Sequence, residues 1–138
     1  MKILFVCRGN VGRSQIAELL FNKLSKHEAS SSGIKVNEKE GQKLKELSSA
    51  KLVIDSMKEE GADVSENIRK QLKPEMLNKF DKIIVMSEPD VIPEYLFNRN
   101  NVEFWDIKDP KGMDKKEHDK IVRKIKSLVK DFINRNNL

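Results

Sequence analysis

There is one cysteine in this chain of 138 residues, and it stands at position 7. A single thiol cannot form an internal disulfide, and a free thiol suits a reducing compartment, so a cytoplasmic location is expected. No apolar run approaches the length of a membrane span. The run Ile3–Val6 is too short for a signal-peptide core, and charged residues follow it at once. No cluster of His and Cys is present to hold a metal, and neither a metal nor any other cofactor is expected. Arg-rich runs and aromatic residues interleaved with basic ones are also missing. That argues against nucleic acid as a partner, despite a net charge of +5 and a pI near 9.3. The lysines are dispersed among Glu and Asp. They read as solvated faces whose mild positive field helps to capture anions. Apolar residues make up 38% and charged residues 36%. Such a chain is polar without resembling a disordered one. With no repeats and no linkers, one domain over residues 1–138 is expected, as a monomer.

What is present is concentrated in residues 1–24. The apolar run Ile3–Val6 ends on Cys7. Arg8, Gly9, Asn10, Val11 and Gly12 follow, then Arg13 and Ser14, and then an amphipathic helical pattern. A loop between a strand and a helix N-terminus turns its backbone N–H groups inward and forms an anion cradle. Gly9 and Gly12 permit unusual backbone angles, and Asn10 tolerates the left-handed region. Arg13 can grip two oxygens of one oxyanion with its planar fork. This field favours the thiolate of Cys7, and a proton donated by Ser14 favours it further. Each residue also has an ordinary reading: Cys7 as a small buried hydrophobe, Arg13 as a solvated charge, Ser14 as a helix cap. The combination at this spacing, between a strand and a helix, points instead to a nucleophilic sulfur beneath a bound tetrahedral oxyanion.

The rest of the chain alternates strand and helix signals. Strand Lys2–Val6 is apolar throughout, as for a strand covered on both faces. A helix is predicted from Arg13 to Lys26 with Ile16, Leu20 and Leu24 inward, and with His27 at its C-terminal dipole. Ala29–Lys35 reads as a short edge strand and Val36–Gln42 as an exposed loop. Helical signal resumes from Gln42 to Glu60, with Ser48-Ser49 as a break or cap and Gly61 closing it. Ala62–Asn67 reads as a connector and Leu72–Leu77 as a short helix with Pro74 in its first turn. Lys82–Met86 is a buried strand, Ser87 opens a further helix that packs Tyr95, Leu96 and Phe97 inward, and Val102–Trp105 is a fourth strand with Trp105 in the core. A final helix, about Asp114 to Asn134, shows one broad apolar face, with His118 on the polar side and Asp114 as its cap. This order predicts an α/β three-layer, flavodoxin-like sandwich: a four-stranded parallel sheet with helices on both faces. Ligands of such sheets bind beyond the strands' carboxyl ends. Cys7 and Asp109 both follow strand ends and can meet there.

The segment CRGNVGRS, residues 7–14, resembles the phosphate loop of the low-molecular-weight protein tyrosine phosphatases, a family that includes thioredoxin-coupled arsenate reductases. The resemblance extends to Asp109-Pro110 near the C-terminus, and more weakly to Ser31-Ser32-Gly33, Glu60–Asp63 and Asp81–Met86. By itself Asp109-Pro110 reads as a turn before a helix. The resemblance makes Asp109 the general acid, with Asp106 as the nearest rival, and implies the family's phosphotyrosine phosphatase I-like fold. The implied reaction is in-line attack by Cys7 on a phosphomonoester held by Arg13 and by Arg8, Gly9, Asn10, Val11, Gly12 and Ser14. Asp109 protonates the leaving oxygen, and water then splits the phosphocysteine. The substrate is a phosphorylated protein or a small phosphomonoester. Arsenate reduction through an external thiol and a non-catalytic oxyanion-binding or redox-sensing module are the alternatives. Departures from the family pattern bear on the choice. Gly12 replaces a second loop cysteine, Gln15 replaces a proline, and Lys111-Gly112 replace tyrosines. No aromatic residue stands between Phe21 and Phe80. These changes argue against a pocket for an aromatic ring, and Lys111 would favour an acidic substrate.

Overall fold

In the computed structural model, which describes residues 1–138, Ile3 to Cys7 are all buried and form the second strand of a parallel four-stranded sheet. The elements are β1 (Lys2–Cys7), α1 (Arg13–Leu24), β2 (Glu28–Gly33), α2 (Lys51–Glu59), β3 (Lys82–Val85), β4 (Val102–Phe104) and α3 (Lys115–Arg135). The sheet order is β2-β1-β3-β4, every pair parallel. The α/β architecture read from the pattern is present, with β2 at an edge.

Alternation along the strands sends Ile3, Phe5 and Ile84 to one face and Leu4, Val6, Ile83 and Val85 to the other. The first face is covered by α1, α2 and α3, among them Ile16, Leu20, Met57, Ile125, Val129 and Phe132. Four aromatic rings close a circuit at its centre. Phe5 meets Phe21 at 6.0 Å, Phe21 meets Phe132 at 6.3 Å, Phe132 meets Trp105 at 6.2 Å, and Trp105 returns to Phe5 at 5.9 Å. Tilted and edge-on contacts of this kind each add about 1 kcal/mol to the area they bury. They tie β1, α1, α3 and the residue after β4 into one core. The second face is thinner. Leu72, Leu77, Leu96 and Ile34 cover it, on 3-10 turns and loops rather than on α-helices.

Two predicted helices are therefore corrected. The helix expected from Ser87 is reduced to two 3-10 turns, Pro89–Val91 and Glu94–Leu96. Pro93 stands four residues after Pro89. It lacks the N–H that a helix would need there, and its ring would collide with the preceding turn. Leu96 still points into the core, but Phe97 turns outward and stacks on exposed Phe104 at 5.4 Å. The helix expected from Gln42 begins only at Lys51. The residues before it pair with the segment 65–69: Lys43 bridges Ile68, and Leu44 N–H donates to the Asn67 carbonyl at 2.9 Å. Ala62–Asn67 and the residues after it thus form a strap paired to the loop after β2, where the sequence read only a connector. Gly61, at φ +98°, does end α2, its N–H donating to Lys58 at 2.9 Å.

Both histidines depart from expectation. His27 lies outside α1, its Nδ1 2.7 Å from the Met1 amine. His118, placed on the polar side of the last helix by periodicity, is only 2% exposed. It turns toward α2, where its Nδ1 lies 3.2 Å from Ser56 Oγ, and its Nε2 has no partner. Asp114 does cap α3, accepting from Glu117 N–H at 2.9 Å. Burial pushes the His118 imidazole below its ordinary value of 6.5, with Asp119 pulling it up and Lys115 pushing it further down.

The folded state thus favours neutral His118, whereas the unfolded chain takes up its proton near pH 6.5. Stability from this group is present above that pH and lost as pH falls through the folded value. Denaturant melts at about pH 7.5 and about pH 5 should show a smaller acid-induced loss for His118→Gln than for native protein. Equal losses in the two proteins would contradict this assignment.

Candidate active site

The loop after β1 is held from both ends. The ladder between β1 and β2 continues into it: Ile34 N–H donates to the Cys7 carbonyl at 2.9 Å, and Lys35 N–H donates to that of Arg8 at 2.8 Å. At the other end, Ile16 N–H donates to the Gly12 carbonyl at 2.9 Å and starts α1. Between them, buried Asn10 takes the left-handed conformation at φ +56°. The sequence assigned unusual backbone geometry to Gly9 and Gly12 as well; neither has positive φ, though Gly12 sits at φ −108°, ψ −84°, outside the helical and extended regions. Their smallness also serves close approach. A Cβ on Gly12 would lie 3.1 Å from Pro110 Cγ, and one on Gly9 would lie 3.3 Å from Arg69 Nη2.

Asn10 links the loop to its surroundings. Its Oδ1 accepts from Lys70 N–H at 2.8 Å, and its Nδ2 donates to Ser14 Oγ at 2.8 Å and to Ser31 Oγ at 3.0 Å. Ser14 Oγ lies 3.0 Å from Cys7 Sγ. Because that hydroxyl already accepts from Asn10, its own proton is free to be donated to the sulfur. Ser14 makes no helix-capping bond, so its ordinary reading does not hold. Gln15 reinforces the same frame, its Nε2 donating to the Asn10 and Ile68 carbonyls at 3.3 and 3.2 Å.

Arg13 is 3% exposed. Its Nη1 donates to the Met86 carbonyl at 2.7 Å, the Ile107 carbonyl at 3.0 Å and Glu88 Oε1 at 2.7 Å. These acceptors lie just past β3 and β4, so the sheet itself aims the guanidinium. Burial pushes the Glu88 carboxyl up, but the bond and charge of Arg13 outweigh it and hold the group below its ordinary value. Arg13 Nη2 has only Asp109 Oδ2, at 3.9 Å.

Asp109 and Cys7 line one cleft of about 560 Å³. Asp109 is exposed, and its Oδ1 accepts from Lys111 N–H at 3.0 Å, which forms a tight turn. Buried Pro110 packs against Gly12 and anchors that turn to the loop. The rival, Asp106, does not line the cleft. Arg8, Gly9, Val11, Gly12 and Arg13 line it as well, whereas Asn10 and Ser14 lie behind, supporting it. No His, Cys, Asp and Glu group able to hold a metal ion is present, and no helix is long and apolar enough to cross a membrane.

Three contributors escaped the sequence reading: Ser31, Glu88 and Arg69. Ser31 lay in a polar run that reads as an exposed edge, yet it is fully buried under the loop. Glu88 read as a helix start. Arg69 stood beyond the connector Ala62–Asn67, in residues that carried no local signal; the strap brings its Nε to the Gly9 carbonyl at 2.9 Å and its Nη1 to Gln42 Oε1 at 2.9 Å. Burial lowers the Arg69 guanidinium from its ordinary value, and the charge of Cys7 works the other way.

The family model described as low molecular weight phosphotyrosine protein phosphatase matches residues 2–137. The chain belongs to that family. Among solved structures, the low molecular weight protein tyrosine phosphatase from T. tengcongensis is similar, with TM-score 0.81, 28% identity and coverage of 98% of this chain and 99% of that one. The arsenate reductase from Archaeoglobus fulgidus has TM-score 0.70 and 26% identity, covering 96% and 98%. Arsenate reductase 1 of Staphylococcus epidermidis is 29% identical over 137 residues, 96% of each chain. The low molecular weight phosphatase family thus brings both phosphatases and arsenate reductases alongside this fold.

A buried contact beneath the loop offers a direct test. A Cβ on Gly33 would lie 2.8 Å from Asn10 N and 2.9 Å from Gly9 C, backbone atoms that have no room to retreat. Gly33→Ala should cost about 1–3 kcal/mol in denaturant unfolding and weaken inorganic phosphate binding by about ten-fold or more. Unchanged phosphate affinity would show that the loop is not held at this point.

Proposed function

We propose that the protein is a phosphatase that hydrolyses phosphomonoesters through a phosphocysteine on Cys7, with Asp109 as general acid and then general base. The observation that carries this reading is the meeting of Cys7, Arg13 and Asp109 at one cleft, with Arg13 Nη2 3.9 Å from Asp109. Nη1 is committed to Met86, Glu88 and Ile107, which leaves the other edge of the fork for two phosphoryl oxygens. Loop N–H groups meet the remaining oxygens. The thiolate attacks phosphorus in line, and Asp109 protonates the departing oxygen. Asp109 then takes a proton from water as the water displaces the sulfur, and inorganic phosphate leaves. Charge on the equatorial oxygens meets the same donors throughout, so the loop needs no rearrangement between steps.

Arsenate reduction through an external thiol is the second reading, favoured by the similarity to arsenate reductases. An internal disulfide relay is closed to a chain with one cysteine. Asp109 facing the cleft supports an enzyme over a silent binding module.

Hydrolysis of an aryl phosphate separates the readings. Cys7→Ser should abolish it, and Asp109→Asn should lower kcat by about 10²–10⁴-fold. Phosphate binding without hydrolysis by fully reduced native protein, joined to thiol-dependent consumption of arsenate, would favour the reductase instead.

A further inference from the structure

The positive charge of the chain is gathered unevenly. Basic residues outnumber acidic ones only 27 to 22 over the sequence. The cleft, by contrast, is lined by Arg8, Arg13, Lys35, Lys51, Arg69 and Lys111 against one carboxylate, Asp109. Arg13 pairs with Glu88, and Lys51 pairs with Asp55. Arg8, Lys35, Arg69 and Lys111 have no acidic partner within 4.0 Å. Three of these four share one side of the loop. Lys35 is joined to Arg8 by its backbone N–H at 2.8 Å, and Arg69 Nε donates to the Gly9 carbonyl at 2.9 Å. Asp109 and Pro110 stand at the opposite end of the loop, against Gly12 and Arg13.

Unpaired cations gathered at one cleft set up a positive potential that attracts anions. The loop amides and Arg13 already match one phosphoryl group. The surplus charge at Arg8, Lys35 and Arg69 needs a further anion. No Phe, Tyr or Trp lines the cleft; Leu47, Ser48, Ser49, Gly112 and Met113 are among its walls. Arg8 directly follows Cys7, and Arg69 Nε bonds the Gly9 carbonyl two residues on, so a second anion held there would sit near the first.

We propose that the substrate is a small, non-aromatic phosphomonoester carrying a second anionic group, a phosphate or carboxylate, which Arg8, Lys35 and Arg69 hold while the loop holds the phosphoryl group to be removed. This rests on the phosphatase reading above. Lys35 and Arg69 thus act as specificity residues, and Arg69 also steadies Gly9.

The probes are propane-1,3-diol bisphosphate and propane-1,3-diol monophosphate, which differ only in the second anion. The native protein should favour the bisphosphate in kcat/KM by about ten-fold or more. That ratio should fall by about three- to ten-fold in Lys35→Ala and in Arg69→Gln, and it should fall with added salt. A native ratio near one, or a ratio that neither variant changes, would overturn the proposal. If neither compound is hydrolysed, the phosphatase reading fails first, and binding to the Cys7→Ser protein decides the subsite. Tighter binding of the bisphosphate that is lost in Cys7→Ser/Lys35→Ala supports it, and equal binding of the two compounds overturns it. Tighter, Lys35-dependent binding of a phosphopeptide with acidic flanks than of the bisphosphate would replace the small substrate with a protein one.

Discussion

The side-chain amide of Asn10 is the contact on which the rest of the site depends. It holds a left-handed residue at the turn of the loop by bonding three segments at once: Ser14 on α1, Ser31 on β2 and the strap at Lys70. The bonds to Ser14 and Ser31 are buried, where an unmet partner costs about 1–3 kcal/mol. The bond to Ser14 also determines where that hydroxyl's proton goes, and so reaches the sulfur of Cys7. Backbone geometry, helix start and the surroundings of the Cys7 sulfur are thereby coupled through one side chain. An Asn that merely tolerated the turn would not couple them.

The sheet supplies the second constraint. Because all four strands run parallel, the carboxyl ends of β1, β3 and β4 open on one side. Arg13 reaches the residues just past β3 and β4, and Asp109 arrives on the loop that follows β4. Residues about a hundred positions apart thus converge without any lid. The aromatic circuit of Phe5, Phe21, Trp105 and Phe132 lies under the same strands. Rigidity beneath the loop suits the proposed two-step reaction, whose donors keep their places throughout.

Much of this was legible from residue order. The unbroken apolar runs at Ile3–Val6 and Ile83–Val85 read as strands buried on both faces. The strongly periodic final helix and the capping aspartate Asp114 were equally plain. The loop's residue types stood out because a thiol, a guanidinium and small residues fell between a strand and a helix. What escaped depended on pairing between distant segments. Nothing near Arg69 signals that a strap will carry it to Gly9, and the serine run of β2 looks solvated until the loop is laid over it. His118 was misplaced because periodicity locates a helix face, while the partner on α2 determines whether a polar ring is accepted there. The shortened helix after Ser87 could have been anticipated from Pro93.

In the proposed reaction Cys7 carries the phosphoryl group between the two steps. The most direct measurement is a rapid acid quench of the native protein with an aryl phosphate, followed by peptide mapping for phosphocysteine. A transient phosphoryl adduct is expected on the peptide containing Cys7, absent from Cys7→Ser and longer-lived when Asp109 cannot activate water. Steady turnover of the aryl phosphate with no adduct at any quench time would contradict it.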